Sequence, residues 1–195
     1  MTTVVAEPIT SEFPVPAPAA WPPAWNEESF RLVVETHSGR LFSLAYRMTG
    51  NAHDAEDLVQ ESFLRAYRSR GHFAARASVS TWLCRICTNA TLDHLRRHKT
   101  HPQAIAEPAE GPSWVERMPA QDASPERLLR SREMNLRIRA ALAALSPKER
   151  AAFVLRHYEG LSIEEIGAAL GLRPAATKNT IFRGVRKLRT ALQGL

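Results

Sequence analysis

The stretch that decides the fold is Leu145–Arg189, "LSPKERAAFVLRHYEGLSIEEIGAALGLRPAATKNTIFRGVRKLR". It uses one helix-start device twice. Ser146 stands before Pro147 and Glu149, and Ser162 stands three residues before Glu165. In each case a serine hydroxyl can cap the first turn while the glutamate answers back to the cap. Gly160 and Gly171 supply the stops. The spacing predicts a helix from Ser146 toward Gly160, a short one over Ser162–Leu170, a tight turn at Gly171–Arg173, and a last helix over Pro174–Lys187. Ile163, Ile166 and Leu170 are expected to pack against Ile181, Val185 and Leu188. From Arg173 to Arg189 there are six basic residues and no acid: Arg173, Lys178, Arg183, Arg186, Lys187 and Arg189. Two short helices joined by a glycine turn, the second one basic, form the pattern that lays a recognition helix in the major groove. The exposed N-terminal half of that helix is expected to offer Ala176, Thr177, Lys178, Asn179 and Thr180 to base edges or phosphates. An ordinary helical hairpin with a solvated basic face is the plainer reading, and it leaves the missing acids unexplained.

Outward from this stretch the chain divides by proline. Six of the 13 prolines lie in the first 23 residues, and five more fall between Pro102 and Pro125. The composition predicts an extended tail over 1–25, a helical block over 26–100, a linker over 101–124 and a second helical block over 125–195. Strand signals are scarce, so the fold class is all-α, in two small helical domains joined by a Pro-rich linker. A formal charge of +6 favours an anionic partner, nucleic acid first. Two cysteines in 195 residues do not make a disulfide framework, and no apolar run approaches a membrane span. With no basic-then-apolar leader at the N-terminus, a cytoplasmic place is expected, with no membrane insertion.

In the first block, "NAHDAEDLVQESFLRAYRSRG" starts at Asn51, carries its acids early and its arginines late, and stops at Gly71. That order complements the helix dipole. Ala55, Val59, Phe63 and Ala66 make an apolar stripe, while Asp57, Gln60, Glu61 and Leu64 make an acidic face. In a basic protein such a face is aimed at something cationic rather than at DNA. Downstream lies "TWLCRICTNATLDHLRRHK", Thr81–Lys99, with both cysteines. At about 100° per residue, Trp82, Arg85, Asn89, Asp93 and Arg96 share one sector, and Cys84, Cys87, Thr91 and Leu95 share the opposite one. The first face holds an indole, arginines and an amide, parts for stacking on unpaired bases and holding phosphates. The cysteines are expected to pack inward as small hydrophobes.

Three motifs, "DAEDLVQESFLRAY" (Asp54–Tyr67), "STWLCRICTNATLDHLRR" (Ser80–Arg97) and "LSPKERAAFVLRHYEGLSIEEIGAALG" (Leu145–Gly171), resemble in order and spacing the extracytoplasmic-function (ECF) sigma factors of bacterial RNA polymerase. The resemblance covers about residues 26–195. It implies a first domain that binds the clamp of core RNA polymerase and reads the melted −10 element. A second domain would read the duplex −35 element of promoter DNA and meet the polymerase flap. By position, Asp57, Gln60, Glu61 and Phe63 fall in the clamp-binding segment. Trp82, Arg85, Asn89, Asp93, Arg96 and Arg97 fall in the −10 segment. Arg173, Ala176, Thr177, Lys178, Asn179, Phe182 and Arg183 fall where the −35 contacts lie. The linker is net acidic, with Glu107, Glu110, Glu116 and Asp122 against Arg117. In the family this segment threads channels of the polymerase, and many relatives are held inactive by an anti-sigma factor.

The chain departs from the family in its recognition helix. Where Gly-Thr-Val-Lys-Ser-Arg is common, it reads Ala175-Ala176-Thr177-Lys178-Asn179-Thr180, so a family −35 sequence is not carried across. The work implied is binding, with no catalytic residue, cofactor or metal. Two rival readings stand beside it. A stand-alone helix-turn-helix repressor or activator would bind duplex without polymerase, usually as a dimer on a palindrome. A metal or thiol sensor built on Cys84, Cys87 and His94 would place a mid-helix Cys-x-x-Cys where structural zinc sites use turns and four ligands.

Overall fold

The computed structural model describes residues 26–73, 77–98 and 137–193. The first half is three helices, α1 (Glu27–Thr49), α2 (Ala52–Ser69) and α3 (Val79–His98), with a short 3-10 turn at Arg70–His72. The second half is α4 (137–143), α5 (Pro147–His157), α6 (Ile163–Leu170) and α7 (Pro174–Gln193). Among the described residues every regular element is helical. The expected tail (1–25) and linker (101–124) lie outside them.

The helices begin and end where capping chemistry puts them. Asn26 and Ser29 form a capping box at α1, with the Ser29 amide 2.8 Å from Asn26 Oδ1. Asn51 caps α2 by accepting from the amides of His53 and Asp54. Ser146 with Glu149 and Ser162 with Glu165 are both complete capping boxes, and Pro147 sits in the first turn of α5. Gly50 and Gly171 close α1 and α6 in the left-handed region, at φ 76° and 64°, a backbone that glycine adopts without a Cβ penalty. α2 ends at Ser69 rather than Gly71, tightening into the 3-10 turn, and α7 runs six residues past the expected Lys187 to Gln193.

The core crosses the boundary between the halves. Leu41, Leu44, Ala45 and Met48 of α1, Ala55, Leu58 and Ala66 of α2, and Leu83, Cys84, Cys87 and Ala90 of α3 belong to the same buried cluster as Val154, Leu155, Ile166 and Ala169. At about 1.5–3 kcal/mol per large apolar side chain buried, this shared cluster is the main cohesion of the arrangement. Leu188 departs from expectation: it packs with Ala141, Leu142 and Leu145 in a second, smaller cluster under α4, not against α6.

Polar contacts reinforce the junction. Arg40 of α1 donates through Nε to Glu159 Oε2 at 2.5 Å and through Nη2 to the Glu159 carbonyl at 2.9 Å. The carbonyls at the end of α1, where the helix dipole is negative, receive two guanidinium groups: Arg150 reaches Met48 O at 2.5 Å and Arg139 reaches Gly50 O at 2.9 Å. Arg47 lies over the Tyr158 ring at 4.2 Å, and Thr81 donates to Glu165 Oε1 at 3.1 Å.

Candidate nucleic-acid interface

α7 is presented by its close seat on α5 and α6. A Cβ on Gly167 would come within 2.8 Å of the Leu172 carbonyl and 3.1 Å of Thr177 Oγ1, so α6 and the start of α7 approach at a distance only glycine allows. Gly184 also sits close against α5, where an added Cβ would lie a tight 3.3 Å from the Glu149 carbonyl. These contacts fix the rotation of the helix. Thr177 and Thr180 turn inward, and their hydroxyls donate to the carbonyls of Arg173 and Ala176 at 3.1 and 2.8 Å. Lys178, Asn179 and Phe182 turn outward, with Phe182 66% exposed, and Arg173 stands exposed in the preceding turn.

One of the expected −35 residues is thereby corrected. Thr177 is fully buried, because its side chain fills the space beside Gly167, and it cannot reach a base. Arg183 stays exposed, with its Nε 3.7 Å from Glu149, which Lys187 reaches at 2.7 Å. Burial pushes the Glu149 carboxyl up, but hydrogen bonds from Lys187 and from Ser146 outweigh it and hold the group below the usual carboxylate range. Ala176 is half-buried.

α3 is set by its own small inward residues. Leu83, Cys84, Cys87, Thr88 and Ala90 are fully buried. Their inward turn leaves Arg85, Asn89, Arg96 and Arg97 exposed on the other side. Trp82 is half-buried at the start of that face, edge-on to Phe73 with ring centroids 5.0 Å apart. The Asp93 carboxylate is engaged by Arg96 at 3.1 Å and lies 3.9 Å from Arg65. The cysteines pack inward as the helix periodicity expects. Burial drives the Cys87 thiol up to about 12, and burial with the Glu159 carboxylate drives Cys84 well above its ordinary value. His94 faces Asp54 at 3.4 Å, not the cysteine side.

α2 offers the acidic face. Asp57, Gln60 and Leu64 are exposed, and Glu61 is half-exposed with Arg65 on it at 2.5 Å. Phe63 is a correction: it is only 7% exposed and packs edge-on to Phe30 at 6.4 Å, so it belongs to the core rather than the surface. Leu64, one position on and 57% exposed, takes its place as the apolar member of the face. The helix period already put Leu64 beside Asp57, Gln60 and Glu61, which was the available signal.

Residues 33–101 match the Sigma-70 region 2 family and residues 135–188 match Sigma-70, region 4. The chain is 39% identical over 184 residues to the ECF RNA polymerase sigma factor SigE of Mycolicibacterium smegmatis, covering 94% of this chain and 67% of that one. It is 36% identical over 172 residues to the ECF RNA polymerase sigma factor SigW of Bacillus subtilis, covering 87% and 92%. Among solved structures, the fold is shared with the sigma factor RpoE of Bartonella quintana in complex with the anti-sigma factor NepR, at TM-score 0.64, 21% identity and coverage of 85% and 98%. It is also shared with CnrH in complex with the cytosolic domain of CnrY, at TM-score 0.61, 24% identity and coverage of 87% and 91%.

Proposed function

The chain belongs to the ECF sigma factors, promoter-directing subunits of RNA polymerase, and from that premise we propose which of its surfaces carry each part of the work. The outward face of α7, with Arg173, Lys178, Asn179 and Phe182, reads the −35 duplex. The outward face of α3, with Trp82, Arg85, Asn89, Arg96 and Arg97, holds the melted −10 strand. The exposed face of α2, with Asp57, Gln60, Glu61 and Leu64, meets a basic surface of the polymerase clamp. The observation that carries the reading is the matched rotation of α3 and α7: in each, small or threonine residues face inward and leave cationic and amide side chains outward.

Mechanistically this is capture rather than covalent chemistry. Each unstacked base held on an aromatic surface is worth about 1–3 kcal/mol, which offsets part of the cost of melting. Phosphate contacts from Arg and Lys set the register and bring a salt dependence of about −0.9 in log–log slope per phosphate on duplex. In this role Asp93 orients Arg96 and Arg65 rather than touching DNA, since an anion repels the strand. An intracellular place, beside polymerase and chromosome, follows from the same reading. So does control by an anti-sigma factor of the kind that accompanies the Bartonella quintana sigma factor. Run-off transcription with core polymerase on genomic promoter fragments tests the proposal. Promoter-specific transcripts are expected, and tight duplex binding without polymerase as a palindrome-bound dimer would favour the stand-alone regulator instead.

A further inference from the structure

We propose that the segment Trp21-Pro22-Pro23-Ala24-Trp25 docks on an outward strip of α1 and α2 made by Phe30, Tyr67 and Leu64, and shields the adjoining polymerase-facing side of α2. The shielding rests on the role given to that face above; the docking does not.

The strip follows from helix geometry. Gln60, Leu64 and Tyr67 stand at i, i+4 and i+7 on α2, and all three are exposed, Leu64 at 57% and Tyr67 at 40%. Two of the five exposed large hydrophobic side chains among the described residues thus adjoin on one stripe, as interaction surfaces do. The Tyr67 ring lies edge-on to Phe30 of α1 at 5.0 Å and carries the Arg70 guanidinium at 3.8 Å. Glu27, Glu28, Phe30, Arg31 and Tyr67 line a cleft at this corner.

The chain itself delivers an occupant to this place. α1 is capped by Asn26, with Ser29 closing the box, so Trp25 is the residue before the cap and Phe30 the fourth helical residue. Apolar residues at those two positions pack together as a staple and set the angle at which the chain enters the helix. Such a staple turns Trp25 onto Phe30 and so toward Tyr67. Pro22 and Pro23 favour the extended polyproline form, which docks on aromatic-lined surfaces. In that form Trp21 and Trp25 are about 12 Å apart, at ~3.1 Å per residue. Tyr67 to Gln60 spans about 10 Å of helix, at ~1.5 Å per residue. With Trp25 at the Phe30–Tyr67 corner and the segment laid back along α2, Trp21 comes level with Leu64 and Gln60. Composition agrees: residues 13–25 carry no charge and hold two of the four tryptophans. Segments that stay in water are poor in aromatic residues, whereas these rings gain by covering apolar surface. Because the segment is joined directly to α1, its effective concentration at the strip is of millimolar order, above that of a second copy. Core polymerase then gains the Leu64 face by displacing the segment.

The test places p-benzoylphenylalanine at position 21 of the full chain, irradiates it and maps the cross-links by mass spectrometry. Links within one chain to residues 60–67 are expected. Links elsewhere in the chain, links only between two copies, or none at all would overturn the docking. Core polymerase in excess should remove the links to residues 60–67, and their survival overturns the shielding. Full-length Trp21→Ala should bind core polymerase about fivefold more tightly than the unmodified chain, because the binding-competent form is no longer a fraction of the whole. Trp21→Phe, which keeps a ring, should stay within about twofold of the unmodified chain. Equal affinity for Trp21→Ala and the unmodified chain overturns the shielding as well. If neither binds core polymerase, the reading of the α2 face falls and the shielding with it, and the cross-links alone decide the docking.

Discussion

α3 and α7 are both twenty-residue helices that bury small side chains and turn arginines, lysines and amides outward, yet they are held in different ways. The buried side of α7 is completed inside its own half, by Gly167 of α6, by Glu149 and Phe153 of α5, and by α4 through Leu188. The buried side of α3 is shared: Leu41 of α1 lies under Cys87, but Glu159 and Glu165 of the second half lie on Cys84 and Thr81. The lesson is that the basic face of α7 is fully built within one half, whereas α3 takes part of its support from the other half.

The contrast can be broken or sharpened by substitution. The largest effect is expected at Phe63. Phe63→Ala should cost about 3–5 kcal/mol of stability in urea titration, as core truncations do. Leu64→Ala, one position away but exposed, should stay within about 0.5 kcal/mol and instead weaken binding to core polymerase. If α7 is truly self-supported, Gly167→Ala should lower the thermal stability of the second half by about 1–3 kcal/mol, since its Cβ meets a backbone carbonyl that cannot swing away. Duplex affinity should fall with it. Asn179→Ala should lose about 1–3 kcal/mol of discrimination at a single base pair in competition binding, with stability unchanged. Thr177→Ala should show the reverse pattern. Smaller still is the salt test: Lys178→Ala should flatten the log–log slope by about 0.9. Arg183→Ala should flatten it less, because Glu149 already draws on that guanidinium.

Glu149 also makes the junction of α5 and α7 acid-sensitive. Its folded pKa lies below the ordinary value, so the stability it contributes is present above the unfolded value of about 4.3 and is lost as pH falls through the folded one. Acid unfolding followed by circular dichroism should therefore begin earlier on the pH scale in Lys187→Met, where the pair is already broken.

Much of this was readable in the sequence because it rests on local chemistry. Ser146 with Glu149 and Ser162 with Glu165 announce their helix starts within three residues, Gly171 marks a helix end, and the structure places each cap there. The two faces of α3 follow from the helix period alone. Thr177 was misassigned because a period says which residues share a side but not which side the neighbours cover, and it needed the close approach of Gly167. The period had put Phe63 on the apolar stripe, and only the family resemblance carried it to the clamp face. The partnership of Arg40 with Glu159 spans 119 residues, and no spacing rule reaches that far.

That span carries a last consequence. Arg150 meets Met48 across 102 residues, so docking the halves closes a large loop that includes residues 99–136. Loop-closure entropy grows only with the logarithm of length, and doubling such a loop costs about 0.6 kcal/mol. By this logarithm, added length in that loop should change the stability of the docked form little.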